Sequence, residues 1–178
     1  MLDALITSKT RIKLLLKFFL NSSSESYLRN LEDEFGESTN SIRLELNKFE
    51  RAGLLNSRLS GNKKMFRANT QHPLFPEIQN LLFKHLGFDQ IIDKVVKNLG
   101  DIDQVFLVGK FAKGIDTQII DLIFRGEGVN KNYLVELVEK AEKLIKRKVR
   151  YLVFTDSEMQ DYLEQRPTTD FLLLWERE

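Results

Sequence analysis

Residues 36–38 impose the strongest constraint on the fold, because one helix must stop and another begin within them. Leu28, Leu31 and Phe35 recur at helical spacing through Tyr27–Phe35, and Gly36 then supplies the residue that most readily closes a helix. Ser38 is an N-cap, since its side-chain oxygen can accept from an amide of the following turn. From there Ile42, Leu46 and Phe49 fall at i, i+4 and i+7 before Gly53 ends the element. Upstream, Ile12, Leu15, Leu16 and Phe19 form a third apolar face over Lys9–Leu20, which Asn21-Ser22-Ser23-Ser24 terminates, with Ser26 expected to cap the middle helix.

Beyond Gly53 the period changes. Leu54–Leu59 and Lys64–Ala68 read as two short strands around Ser60-Gly61-Asn62-Lys63, a β-hairpin with a basic tip. Pro73 and Pro76 mark the end of this unit, and helical stretches at Glu77–Leu86 and Phe88–Leu99 lead to Gly100 as a connecting layer. The remainder alternates: Gln104–Val108, Ile119–Phe124, a helix from Tyr133 to Arg147, Val149–Phe154, a short helix after Asp156, and Phe171–Trp175. The fold class is therefore α/β (α+β), organised as 1–72, a helical connector 73–100, and a small α/β domain 101–178.

Three helices followed by a hairpin make a winged helix-turn-helix. In that motif the first turns of the third helix enter the major groove of DNA while the hairpin meets the backbone. The outward residues there are Thr39, Asn40, Ser41 and Arg43, with Asn47 and Lys48 a turn later. Asparagine can bind adenine bidentately, arginine can bind guanine, and hydroxyls suit phosphates or base edges. Asn62, Lys63 and Lys64 are placed to meet phosphate. Glu45 and Glu50 must point away from it, or they would repel it.

Charge distribution agrees with this placement. The chain carries +1 overall, yet residues 1–72 hold 12 Lys/Arg against 8 Asp/Glu, while residues 73–178 hold 15 against 18. The basic half is the one with the hairpin. With no cysteine, disulfides, thiolate zinc sites and thiol nucleophiles are excluded, which suits a reducing cytoplasm. Ile12–Leu20 is interrupted by Lys13 and Lys17 and is too short to span a bilayer, so no membrane partner is expected.

Thr7-Ser8-Lys9-Thr10-Arg11 leading into Ile12–Leu20, with Tyr27-Leu28-Arg29, Ser38-Thr39-Asn40-Ser41-Ile42-Arg43, Glu45-Leu46, Ala52-Gly53-Leu54-Leu55 and Gly61-Asn62-Lys63-Lys64, resembles an ArsR-like winged-helix regulator. The resemblance spans roughly residues 5–76, up to His72-Pro73-Leu74-Phe75. It implies a transcriptional regulator that binds double-stranded operator DNA as a homodimer. Metal sensing does not carry over, because it needs cysteines or clustered histidines and this chain has only His72 and His85. No metal or cofactor is expected.

Val108-Gly109-Lys110-Phe111-Ala112-Lys113-Gly114 followed by Ile119-Ile120-Asp121-Leu122 resembles the signature of minimal nucleotidyltransferases over about residues 101–175. That family places a Gly-Ser pair near the nucleotide phosphates and an Asp-x-Asp on the next strand, where two carboxylates on one face hold divalent cations. Here Lys110 replaces the serine, Ile119 replaces the first aspartate, and the later strand offers Arg150 where a third acid belongs. Asp121 alone cannot hold two cations, so the expectation is a non-catalytic, degenerate domain without catalytic residues. It would serve as a scaffold, a dimerisation surface or a ligand sensor. Gly109, Lys110, Lys113 and Asp121 could persist as a remnant for an anionic or nucleotide ligand, against the plainer alternative of solvated lysines beside a tight turn. The Gly109 to Gly114 spacing is that of a Walker A loop, but Ile115-Asp116 follows where Lys-Ser/Thr is required. The alternative from another class is an active Mg²⁺-dependent nucleotidyltransferase carried by a winged-helix docking domain.

Overall fold

The computed structural model describes residues 2–99 and 102–177. The chain divides into two compact units, Met1–Leu82 and Phe83–Glu178, and the division falls inside the stretch that the sequence sets apart as a connector. The helix stop expected at Gly100 lies outside the described residues.

The first unit begins with α1 (Leu2–Leu5) and α2 (Lys9–Leu15), which Ser8 caps by accepting from the Arg11 amide. The helix runs on through a π-helical turn, Leu16–Leu20, and every residue from Leu14 to Leu20 is buried. This burial includes Lys17, whose ammonium reaches Glu34 at 2.8 Å, so the charge is paired where it leaves solvent. Phe19 is the centre of the unit, with Phe49 edge-on at 6.5 Å and Phe75 at 5.6 Å. Burying each such side chain contributes roughly 1.5–3 kcal/mol.

A three-residue strand, β1 (Glu25–Tyr27), precedes α3 (Leu28–Phe35). Neither period-2 alternation nor a turn signal marks so short a strand. Ser26, expected to cap the helix, instead lies within β1, where its hydroxyl accepts from Asn30; Tyr27 occupies the cap position without a side-chain hydrogen bond. The expected apolar face of this helix also narrows, since only Leu31 is fully buried. Gly36 takes the left-handed conformation, φ 62°, that closes α3. Ser38 then accepts from the Ser41 amide and starts α4 (Thr39–Arg51) with Ile42, Leu46 and Phe49 inward. β2 (Leu55–Ser60) and β3 (Lys63–Ala68) pair antiparallel around Gly61-Asn62, and β1 adds to the other edge of β3. The first unit is a winged helix-turn-helix.

α5 (Phe75–Leu86) carries the chain across the division. In the second unit α6 (Phe88–Ile91), a π-helical turn (Ile92–Val96) and α7 (Lys97–Leu99) precede β4 (Gln104–Val108), α8 (Gly109–Ala112) and β5 (Ile119–Arg125). Then come α9 (Lys131–Ile145), β6 (Lys148–Phe154), α10 (Asp156–Glu164) and β7 (Phe171–Glu176). The sheet runs β6-β5-β4-β7, with β5 and β6 parallel across the α9 crossover and the other pairs antiparallel. α9 buries Leu134, Leu137, Val138 and Ala141. Phe106, Val108, Ile123 and Met159 form a core cluster joined by Phe154, Tyr162, Leu163 and Phe171. Gly109 (φ 68°) and Gly114 (φ 75°) take the left-handed conformation at the tight turn expected there, which includes the one-turn helix α8.

Candidate nucleic-acid interface

Helix geometry divides the side chains of α4 into three sets. Ile42, Leu46 and Phe49 face the core, Ser41 and Glu45 face α2, and Asn40, Leu44, Asn47 and Arg51 follow one another at i, i+4, i+7 and i+11 along the side opposite the core. Arg43 stands beside this line and is exposed. Thr39, Arg43, Asn47, Asn62, Lys63 and Lys64 meet around one groove of about 600 Å³, with Tyr27, Leu28, Arg29, Glu32, Leu46 and Phe66 completing its wall. Residues from β1, α3, α4 and the hairpin, as far apart in sequence as Tyr27 and Phe66, are thereby brought to one surface.

Ser41 is not on that surface. Its hydroxyl lies 3.0 Å from the Thr10 hydroxyl, a hydrogen bond that ties α4 to α2, so the expectation of an outward Ser41 is corrected. Asn40 is exposed at the first turn, and Lys48 is exposed one turn before the end.

Both glutamates of α4 are held by cations. Glu45 is buried and accepts from the Arg11 guanidinium through both oxygens, at 2.8 and 3.1 Å, and from Lys48 at 3.1 Å. The Arg11 hydrogen bonds hold its carboxyl below the usual carboxylate range, against the opposing effect of burial. Glu50 accepts from Lys64 at 2.7 Å and from the Ser57 hydroxyl, and the Lys64 hydrogen bond is the main cause of its lowered pKa. The charges of Lys48 and Lys64 are thus partly used within the protein. Among the described residues Arg43 and Arg51 make no ion pair, and the Lys63 ammonium sits 4.3 Å from the centre of the Tyr27 ring. That contact steadies the hairpin tip and leaves the positive charge available. Across the outer face of the small sheet, Arg58 of β2 reaches over β3 to Glu25 of β1 with two 2.8 Å hydrogen bonds. Leu44 and Arg51 were not singled out by sequence; only the register of α4, once fixed, shows which of its exposed residues share the face.

In the second unit a pocket of about 510 Å³ is lined by Gly109, Lys113, Asp121, Arg150, Tyr151, Tyr162, Arg166 and Asp170, among others. Gly109 has φ 68°, and a Cβ there would come within 2.7 Å of Asp121 Oδ2, so the turn passes closely over the carboxylate. Asp121 and Arg150 are direct partners in the parallel pairing of β5 and β6, and their side chains meet at 2.7 Å. Lys113 is paired to Asp170 at 3.0 Å. Arg166 packs on the Tyr162 ring at 4.5 Å. The remnant is therefore assembled in part: Gly109, Lys113 and Asp121 line one pocket, and Lys110 does not. Ile119, at the position of the missing first carboxylate, is partly exposed on β5. Among the described residues no three His, Cys, Asp or Glu side chains cluster as metal ligands. None of the described helices is long and apolar enough to cross a membrane.

No family model matches the chain, and no curated protein does. Solved structures similar to it include reduced HlyU from Vibrio cholerae, 18% identical, covering 47% of this chain and 82% of that one with a TM-score of 0.37. The homodimeric winged helix-turn-helix DNA-binding domain of Mb0332 from Mycobacterium bovis, a candidate ArsR-family regulator, is 19% identical and covers 45% of this chain and 73% of its own, with a TM-score of 0.35. A candidate nucleotidyltransferase from Sulfolobus solfataricus is 23% identical, covering 56% and 86%, with a TM-score of 0.36. The structural neighbours thus include both a winged-helix domain of a candidate ArsR-family regulator and a candidate nucleotidyltransferase.

Proposed function

We propose that the chain is a DNA-binding transcriptional regulator that reads operator DNA through α4 and grips the backbone with the β2–β3 hairpin. The observation that carries this reading is the shared groove. It joins Thr39, Arg43 and Asn47 of α4 to Asn62 and Lys63 of the hairpin, while the acids of α4 are neutralised by Arg11, Lys48 and Lys64. Arg43 and Asn47 are chemically suited to base edges, and the hairpin tip to phosphate. In this reading residues 1–72 form the DNA-binding domain, 73–100 the connector and 101–178 a non-catalytic module. The resemblance to ArsR-like regulators supports a homodimer, whose mechanism would be occlusion or recruitment at a promoter in the cytoplasm.

A non-catalytic second unit is supported by the Asp121–Arg150 pair. A guanidinium lies on the later strand, where the third acid would belong, and is paired to the one remaining carboxylate, so divalent cations there would meet a positive charge. Its pocket, with Lys113, Arg150 and Arg166 among its walls, remains the place for an anionic ligand if the module senses one.

Selection of bound fragments from genomic DNA at physiological salt tests the function. Enrichment of a common sequence, with log K falling linearly against log salt by about 0.9 per phosphate contacted, is expected. Retention of no duplex would overturn the DNA reading. Nucleotide transfer in Mg²⁺ that Asp121→Ala abolishes would overturn the assignment of the second unit.

A further inference from the structure

We infer that Leu44 is a specificity residue that packs against the 5-methyl group of a thymine in the major groove; this rests on the DNA-binding reading above. Leu44 lies at the middle of α4 and is 53% exposed, whereas Ile42, Leu46 and Phe49 already supply the helix's core face. Stability of the fold does not require a leucine there. Asn40 precedes it by four residues and Asn47 follows it by three, so Leu44 occupies the turn between two side chains suited to adenine. Every adenine they could read is paired with a thymine whose methyl projects into the same groove. An apolar side chain between two asparagines therefore meets the one apolar group that an A·T-containing site presents.

The surroundings of Leu44 favour a duplex over a protein partner. Its exposed neighbours on α4 are Asn40, Arg43, Lys48 and Arg51, a polar and basic ring rather than a continuous apolar patch. The core of a protein interface is depleted in charge and closes over several apolar groups together, which this face does not offer. Glu45, the acid next in sequence, is turned to Arg11 and Lys48 and so is kept from phosphate.

The test uses the full chain and duplexes that it selects from a random-sequence pool at about 150 mM salt. In the tightest-bound duplex each thymine is replaced in turn by uracil, which removes the methyl group and leaves the pairing edge intact. The native protein should lose about fourfold in affinity at one or two positions per half-site, as expected for one buried methyl-sized group. Leu44→Ala should bind the thymine and uracil duplexes equally, and Leu44→Met should keep most of the preference. Thermal melting of each variant checks that the exposed substitution leaves the fold intact. Indifference of the native protein to uracil everywhere, or an undiminished uracil penalty in Leu44→Ala, overturns the inference while leaving DNA binding in place. Recovery of no duplex from the pool overturns both readings. Loss of self-association in Leu44→Ala, with no uracil effect in the native protein, assigns the residue to a protein contact and overturns the thymine assignment.

Discussion

The two units use the same device, an arginine clamped on a strand or helix carboxylate, with opposite consequences. On α4 of the first unit, Arg11 and Lys48 bind Glu45, and Lys64 binds Glu50. The acids are cancelled, and a polyanion can approach the exposed Arg43, Arg51 and Lys63. On β5 of the second unit, Arg150 binds Asp121, and what is cancelled is the carboxylate that a metal would need. On the proposed reading, neutralising an acid would help a surface that receives phosphate and would disable one that holds cations. The contrast shows why counting charges along the chain is a poor guide to either site: what matters is which charges remain after the pairs have formed.

Arg43→Ala is the strongest way to break the comparison. It removes an exposed guanidinium from the groove and should cost about 1–3 kcal/mol on a selected duplex while relaxing specificity at one base pair. Titration of native and variant protein with the same labelled duplex measures it, and equal affinities would place the reading surface elsewhere.

Glu45→Ala comes next. It strips Arg11 and Lys48 of a buried acceptor and should destabilise the first unit by roughly 1–2 kcal/mol, a figure kept small because both cations are more than one-third exposed. The native contribution depends on pH in a definite direction. Because the folded-state pKa of Glu45 lies below 4.5, its stabilisation is complete above pH 4.5 and is lost as the pH falls through the lowered value. Melting curves of native and Glu45→Ala protein should therefore converge in acid. A constant gap would assign the effect to packing.

Lys63→Ala has a smaller effect, of a different kind. It should weaken binding to selected and unrelated duplexes alike and flatten the salt dependence by about one unit of slope. A change confined to one sequence would make Lys63 a base reader. Smallest of all is Arg150→Ala. The Arg150 side chain is 68% exposed, so freeing Asp121 should leave the melting temperature and duplex affinity unchanged within error. Mg²⁺-dependent nucleotide transfer appearing in this variant would show that the pair, rather than the missing acids, silences the pocket.

Much of the frame was legible because its signals are local. Ser38 caps α4 through an amide three residues away, Gly36 closes α3 by its own backbone angle, and the hairpin turns within the residues that specify it. The alternation of strand and helix after residue 101 carried the α/β architecture of the second unit in the same way. β1 was illegible because a strand of three residues owes its existence to β3, forty positions away, and Ser26 was misread as a cap for that reason.

Sequence by itself thus determined the bounds of α4 and of the hairpin and the apolar face that α4 buries, since caps, turns and periodicity act over a few residues. Away from the helix caps, tertiary structure decided what the polar residues do. Ser41 turned inward because Thr10 lies 31 positions back; Glu45 was silenced by Arg11, 34 positions back; and Asp121 met Arg150, 29 positions on. A side chain's partner is set by packing of distant segments, so the same serine or aspartate can read DNA, bind a metal or merely hold two elements together.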